Sequence, residues 1–124
     1  MNICIYVHQI NLLLNVHFVI LDNPPSISSV DKTPANFKQG GILHLHCQAT
    51  AMDNSLITYE WFATDFEGNS KNMLLGRYTH QSNTGMLTIS NLNRTQDDGY
   101  FYCVAANAAG KVRSKRLVIQ VACE

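Results

Sequence analysis

The side chains best equipped for chemistry are four cysteines, Cys4, Cys47, Cys103 and Cys123, the histidines His44 and His46, and the adjacent aspartates Asp97 and Asp98. No two cysteines are close enough in sequence to clasp zinc or to form a Cys-x-x-Cys redox site. Cys47 and Cys103 lie in strand-like surroundings and could close a long loop. By the chain-entropy model such a bond is worth about 4 kcal/mol to a small domain, and it implies an oxidising compartment. His44 and His46 would project from one face of a strand, but two imidazoles without a third ligand do not make a zinc site, and solvent-facing histidines are the preferred reading. Asp97 and Asp98 point to opposite faces of an extended chain and cannot work as a paired acid and base. The serines, histidines and aspartates form no nucleophile elbow, and Gly40-Gly41 lacks the rest of a phosphate loop. These patterns predict no enzyme, no metal and no cofactor.

Two surface motifs remain. Asn93-Arg94-Thr95 is an N-glycosylation sequon in a predicted turn, where a glycan can be accommodated if the chain is secreted. Lys111, Arg113, Lys115 and Arg116 follow the last predicted turn and offer a binding stripe for an acidic protein partner or a glycosaminoglycan. Basic residues on an edge strand also discourage aggregation, and that role is favoured for them. Lys plus Arg equals Asp plus Glu at 9 each, so no net charge draws the chain to nucleic acid.

At 124 residues the chain has the length of one domain. Residues 1–21 are apolar, yet they lack an early Lys or Arg and a small-x-small cleavage site, and Asn11, Asn15 and His17 interrupt the run. They read as a degenerate signal region or a non-native exon, and the interruptions argue against a membrane span. The predicted domain covers 22–122. Residues 42–50 alternate Leu43, Leu45, Cys47 and Ala49 with His44, His46 and Gln48, the pattern of a half-buried strand. Tyr59 and Trp61 share the inner face of the next strand, and Leu87 and Ile89 that of a later one. Residues 64–71 read as a loop and 73–80 as at most a short edge strand. Strands over 100–107 and up to Val121 complete the pattern. In the last strand Lys111, Arg113 and Lys115 share parity with Leu117, Ile119 and Val121, which a bulge near 114–116 would resolve. Short strands punctuated by turns predict an all-β antiparallel sandwich.

Cys47, Trp61 fourteen residues later, Leu87-x-Ile89, Asp97-x-Gly99 and Cys103 together resemble the immunoglobulin superfamily. Cys103-x-Ala105-x-Asn107-x-x-Gly110 resembles its intermediate set (I-set), found in neural adhesion molecules and muscle filament proteins. The resemblance implies a Greek-key sandwich in which Cys47 and Cys103 bridge the sheets and Trp61 packs on the sulfurs. It also implies a salt bridge from Asp97 to an arginine at the start of the fourth strand. Arg77 is the candidate, as an exposed pair worth about 0 to 1 kcal/mol. The family's corner tyrosine is replaced by Phe101, so the corner is expected to be weaker by one hydroxyl. Leu92-Asn93-Arg94-Thr95 and Ile119-Gln120-Val121-Ala122 resemble the first immunoglobulin domain of sidekick-type adhesion proteins.

The resemblance and the sequon together predict an extracellular module of a cell-adhesion or receptor protein, attached to a membrane only through other parts of a longer chain. It would bind a cell-surface ligand or its own copy. The alternatives are an intracellular structural domain of a muscle filament protein, with Cys47 and Cys103 as thiols, and an ectodomain module of a receptor kinase.

Overall fold

The computed structural model describes residues 24–52 and 56–122. The apolar segment 1–21, Cys4 and Cys123 lie outside the described residues. Eight strands and one helical turn follow in order: β1 (Ser26–Thr33), β2 (Leu43–Thr50), β3 (Thr58–Thr64), β4 (Tyr78–Gln81), β5 (Met86–Ile89), α1 (Arg94–Asp97), β6 (Gly99–Asn107), β7 (Gly110–Arg113) and β8 (Leu117–Ile119). One sheet has the order β1-β2-β5-β4; the other joins β3, β6 and β7, with β8 also pairing β6. All the strand pairings are antiparallel.

The period of two in β2 does what its alternation requires: Leu43, Leu45, Cys47 and Ala49 are buried while His44 and His46 stay half-exposed. Between the sheets Leu43, Leu45 and Cys47 meet Trp61, Leu87, Ile89, Leu92, Phe101 and Ile119, all nearly or wholly removed from water, while Ala49 packs with Ala105 and Val112. Cys47 and Cys103 form a disulfide across this core, with Cα atoms 6.4 Å apart. Trp61 lies beside Cys103 in the β3–β6 register, and its indole N–H donates to the Gly85 carbonyl at 3.0 Å. Tyr59 packs only partly into the core, and its hydroxyl accepts from the Ala49 N–H at 3.1 Å.

Two glycines are fixed by close approach. A Cβ on Gly85, whose φ is +83°, would collide with the Cys47 carbonyl oxygen, and one on Gly99, with φ +150°, would collide with that of Thr64. Both glycines let one sheet's backbone pass close to a neighbouring strand or loop.

The parity conflict in the last strand is resolved between β7 and β8. Residues 114–116 stand against only Tyr102 and Cys103 of β6, so one residue is extra. Ser114 repairs the interrupted ladder: its N–H donates to the Cys103 carbonyl at 2.8 Å and its hydroxyl accepts from the Cys103 N–H at 2.9 Å. Lys111 and Arg113 therefore point outward while Leu117 and Ile119 point in.

Candidate protein-binding face

The outer face of the β3-β6-β7-β8 sheet gathers aromatic and basic side chains. Because Phe101 and Cys103 point inward, Tyr100 and Tyr102 must point outward, and the pleat brings Phe62 of β3 directly opposite Tyr102. The Phe62 and Tyr102 rings stack with centroids 5.6 Å apart, and Phe66 meets Tyr100 edge-on at 5.2 Å. Arg113 lies over the Tyr102 ring at 4.8 Å and Arg116 over the Tyr100 ring at 4.2 Å. Each guanidinium thus sits over a tyrosine ring, and among the described residues no hydrogen bond or ion pair engages its N–H donors, which remain available to a carboxylate. None of Lys111, Arg113, Lys115 and Arg116 forms an ion pair among the described residues. The basic stripe is split: Arg113 and Arg116 belong to the aromatic face, Lys111 extends it beside Ala106, and Lys115 sits exposed at the bulge. The sequence reading missed Phe62, Phe66, Tyr100 and Tyr102 as surface partners, although the strict alternation through β6 already required the two tyrosines to face out.

The remaining predicted site residues lie elsewhere. His44 and His46 are outward neighbours on β2, with ring centroids 6.4 Å apart, and Nδ1 of His44 is 3.0 Å from the Thr88 hydroxyl. Among the described residues no three histidine, cysteine, aspartate or glutamate side chains gather as a metal site. Asn93 caps α1, its side-chain oxygen accepting from the N–H groups of Thr95 at 2.9 Å and Gln96 at 3.2 Å.

Asp97 departs from two expectations. It closes a helical turn instead of lying on extended chain, and its pair with Arg77 is not exposed: the carboxylate is 0% accessible and the Arg77 side chain 21%. The guanidinium grips it through both nitrogens at 2.8 Å, the Tyr78 hydroxyl donates to it at 2.7 Å, and the Asn93 N–H at 2.8 Å. Arg77 also donates to the carbonyls of Ser90 and Asn91. Burial by itself would raise the Asp97 pKa, but the bonds from Arg77, the Asn93 backbone and Tyr78 outweigh it and hold the carboxyl below its usual value. Burial first, and then the bond to this carboxylate, push the Tyr78 hydroxyl up. The sequence reading also missed Tyr78. Phe101 has no hydroxyl, but its ring meets Tyr78 edge-on at 6.3 Å, and Tyr78 supplies a hydroxyl to the neighbouring carboxylate from β4. Asp98 turns away from Asp97 and accepts from the Val121 N–H at 2.7 Å.

A two-sheet antiparallel sandwich with orders β1-β2-β5-β4 and β3-β6-β7, bridged by a disulfide from β2 to β6 beside a buried tryptophan, defines an immunoglobulin-type domain. The immunoglobulin domain model matches residues 24–107, and the chain belongs to that family. Such domains are typically non-catalytic binding modules. No curated protein sequence matches the chain significantly. Among solved structures, one addressing Dscam isoform specificity is 21% identical, with a TM-score of 0.61 over 81% of this chain and 25% of that one. The N-terminal Ig1-2 module of the Drosophila receptor protein tyrosine phosphatase DLAR is 21% identical, with a TM-score of 0.58 over 82% of this chain and 50% of that one. A chimeric titin Z1Z2 carrying a decorin peptide is 16% identical, with a TM-score of 0.59 over 83% and 98%. At these identities the likeness is one of fold, and the chain spans half or less of the Dscam and DLAR structures.

Proposed function

We propose that this chain is an extracellular protein-binding module of a cell-adhesion or cell-surface receptor protein, and that it binds through the outer face of the β3-β6-β7-β8 sheet. The observation that carries the reading is the pair of exposed arginines, Arg113 and Arg116, lying over half-buried, outward-facing tyrosine rings without a carboxylate partner. Tyrosine and arginine dominate interface hot spots because they combine area with directed hydrogen bonds at low entropic cost. The Cys47–Cys103 disulfide supports an oxidising compartment, and the Asn93 sequon supports passage through a secretory route.

The chain, secreted from eukaryotic cells and coated on beads, is scored for adherence to cultured cells. Arg113→Glu with Arg116→Glu is expected to weaken adherence at least tenfold, about 1.4 kcal/mol, while Thr79→Glu on the other sheet leaves it unchanged. Equal loss from both variants, or none from the first, refutes this face as the binding surface. Loss of adherence on heparinase treatment assigns the partner as a glycosaminoglycan instead of a protein. The titin likeness favours a second reading, a structural domain of an intracellular muscle filament protein. In that case alkylation of the chain as isolated from its native cells modifies Cys47 and Cys103, and no glycan is found on Asn93.

A further inference from the structure

The charges on the candidate face are sorted by edge. The register aligns Glu60 of β3, Val104 of β6 and Arg113 of β7 in a single row across the sheet. A second row runs through Thr64, Tyr100 and Val118; Arg116 lies over Tyr100 at one side, and Phe66 meets the same ring from the other. Glu67 follows Phe66 in the turn after β3 and is exposed. Asp65 is already committed, since its carboxylate accepts from Asn69 and from the Glu67 N–H. Glu60 and Glu67, like the basic residues opposite them, form no ion pair among the described residues. One edge therefore carries unpaired acids, the other unpaired bases, and an apolar strip of Phe62, Tyr102 and Val104 runs between them.

We infer that the partner of this face is a second copy of the same chain, packed face to face about a two-fold axis parallel to β6. The inference rests on the reading of this face as a binding surface. Such an axis preserves height along the strands and exchanges left and right edges. It therefore places Glu60 of each copy over Arg113 of the other, in the same register row, and brings the end of β3 that leads to Glu67 to the side that carries Arg116. An axis across the strands would do the reverse and set acid against acid. The interface is isologous, so every favourable pair occurs twice. Tyr102 and Val104 meet their counterparts near the axis, giving an apolar centre with a charged rim, the usual anatomy of a specific interface. The guanidiniums already rest against the tyrosine rings, so part of the side-chain freedom that gripping a carboxylate costs is lost beforehand.

The test is charge exchange. Beads coated densely with the secreted chain are expected to cluster. Clustering of Arg113→Glu/Arg116→Glu beads, and separately of Glu60→Lys/Glu67→Lys beads, is expected to fall at least tenfold. Mixing the two variants restores mixed clusters, because each then offers one sign to the other. Thermal unfolding of both variants within a few degrees of the parent shows that the fold is intact. Failure of the unsubstituted beads to cluster overturns the inference, as does failure of the mixture to cluster when each variant alone has lost the property. In both cases the adherence of beads to cells, and its dependence on Arg113 and Arg116, decides separately whether the face binds a different protein.

Discussion

Replacing Asp97 with asparagine isolates the buried ion pair, since it removes charge and leaves volume almost unchanged. Each carboxylate oxygen now receives two donors: Oδ1 from Arg77 and Tyr78, Oδ2 from Arg77 and the Asn93 backbone. Turned one way the amide NH2 faces the N–H donors of Arg77 and Asn93, and turned the other it faces Arg77 and the Tyr78 hydroxyl, which can rotate to accept; in either case an Arg77 N–H is left unmatched. Breaking a buried pair by removing one partner costs about 3–5 kcal/mol. Water reaches Arg77, whose side chain is 21% accessible, so the lower end applies and about 3 kcal/mol is expected. In a domain of this size that lowers Tm by roughly 12–24 °C, from about 4–8 °C per kcal/mol. Urea unfolding followed by Trp61 fluorescence, with the disulfide intact, measures the difference directly. The pH dependence separates charge from shape. A carboxyl whose folded pKa lies below the ordinary 3.8 contributes its full stability above that value and loses it as pH falls through the lower, folded value. The gap between parent and variant should therefore be constant from about pH 5 to 8 and close progressively in the acid range below 3.8. A difference under about 1 kcal/mol at neutral pH would place the pair with ordinary surface ion pairs and refute the argument. A gap that stays constant to pH 2 would assign the cost to fit instead of charge.

Gly85→Ala, which drives a Cβ into the Cys47 carbonyl at positive φ, should cost at least about 2 kcal/mol by chemical denaturation. Gly40→Ala, at φ +81° but with open space around it, should cost only about 1 kcal/mol. Removing the disulfide by replacing Cys47 and Cys103 with alanine opens a loop of 56 residues and should cost about 4 kcal/mol in the same assay. Thr95→Ala should abolish any glycan on Asn93, read as a mass change, without altering stability, because the cap uses the Thr95 backbone N–H and not its hydroxyl. Asn93→Ala should remove glycan and cap together and cost about 1 kcal/mol.

The two-sheet fold was legible because its signals are local and periodic. Alternation in β2 marks which of its residues face inward, and the resemblance carried by Cys47, Trp61 and Cys103 implies how the sheets meet. The bulge was also legible, as a break of parity that only an extra residue between Arg113 and Leu117 could mend. What escaped the sequence depends on contacts distant along the chain. The burial of Asp97 follows from Arg77 and Tyr78, some twenty residues earlier, folding over a helical turn that four residues could not announce. The aromatic face escaped for a different reason: attention fell on Phe101 at the corner, and Tyr100 and Tyr102 were assigned to no face. Their role appears once β3 supplies Phe62 and the bulge delivers Arg116 to the Tyr100 ring.

The bulge therefore links fold to proposed function. If the same residues ran as a regular strand without the bulge, Lys111, Arg113 and Lys115 would share the parity of Leu117 and Ile119, and burying the leucine and isoleucine would force the cations inward. With it, the apolar end of the strand closes the core while Arg113 and Arg116 lie on the outer tyrosines. Ser114 sustains the arrangement by bonding both backbone groups of Cys103, so the residue that carries the disulfide is also the one against which the basic edge is set. Deleting Lys115 would leave two residues opposite Tyr102 and Cys103, a regular ladder that keeps Arg113 outward and Leu117 inward, so the core should survive while Arg116 shifts from Tyr100 toward Tyr102; charge reversal at Arg113 and Arg116 should likewise alter the face alone.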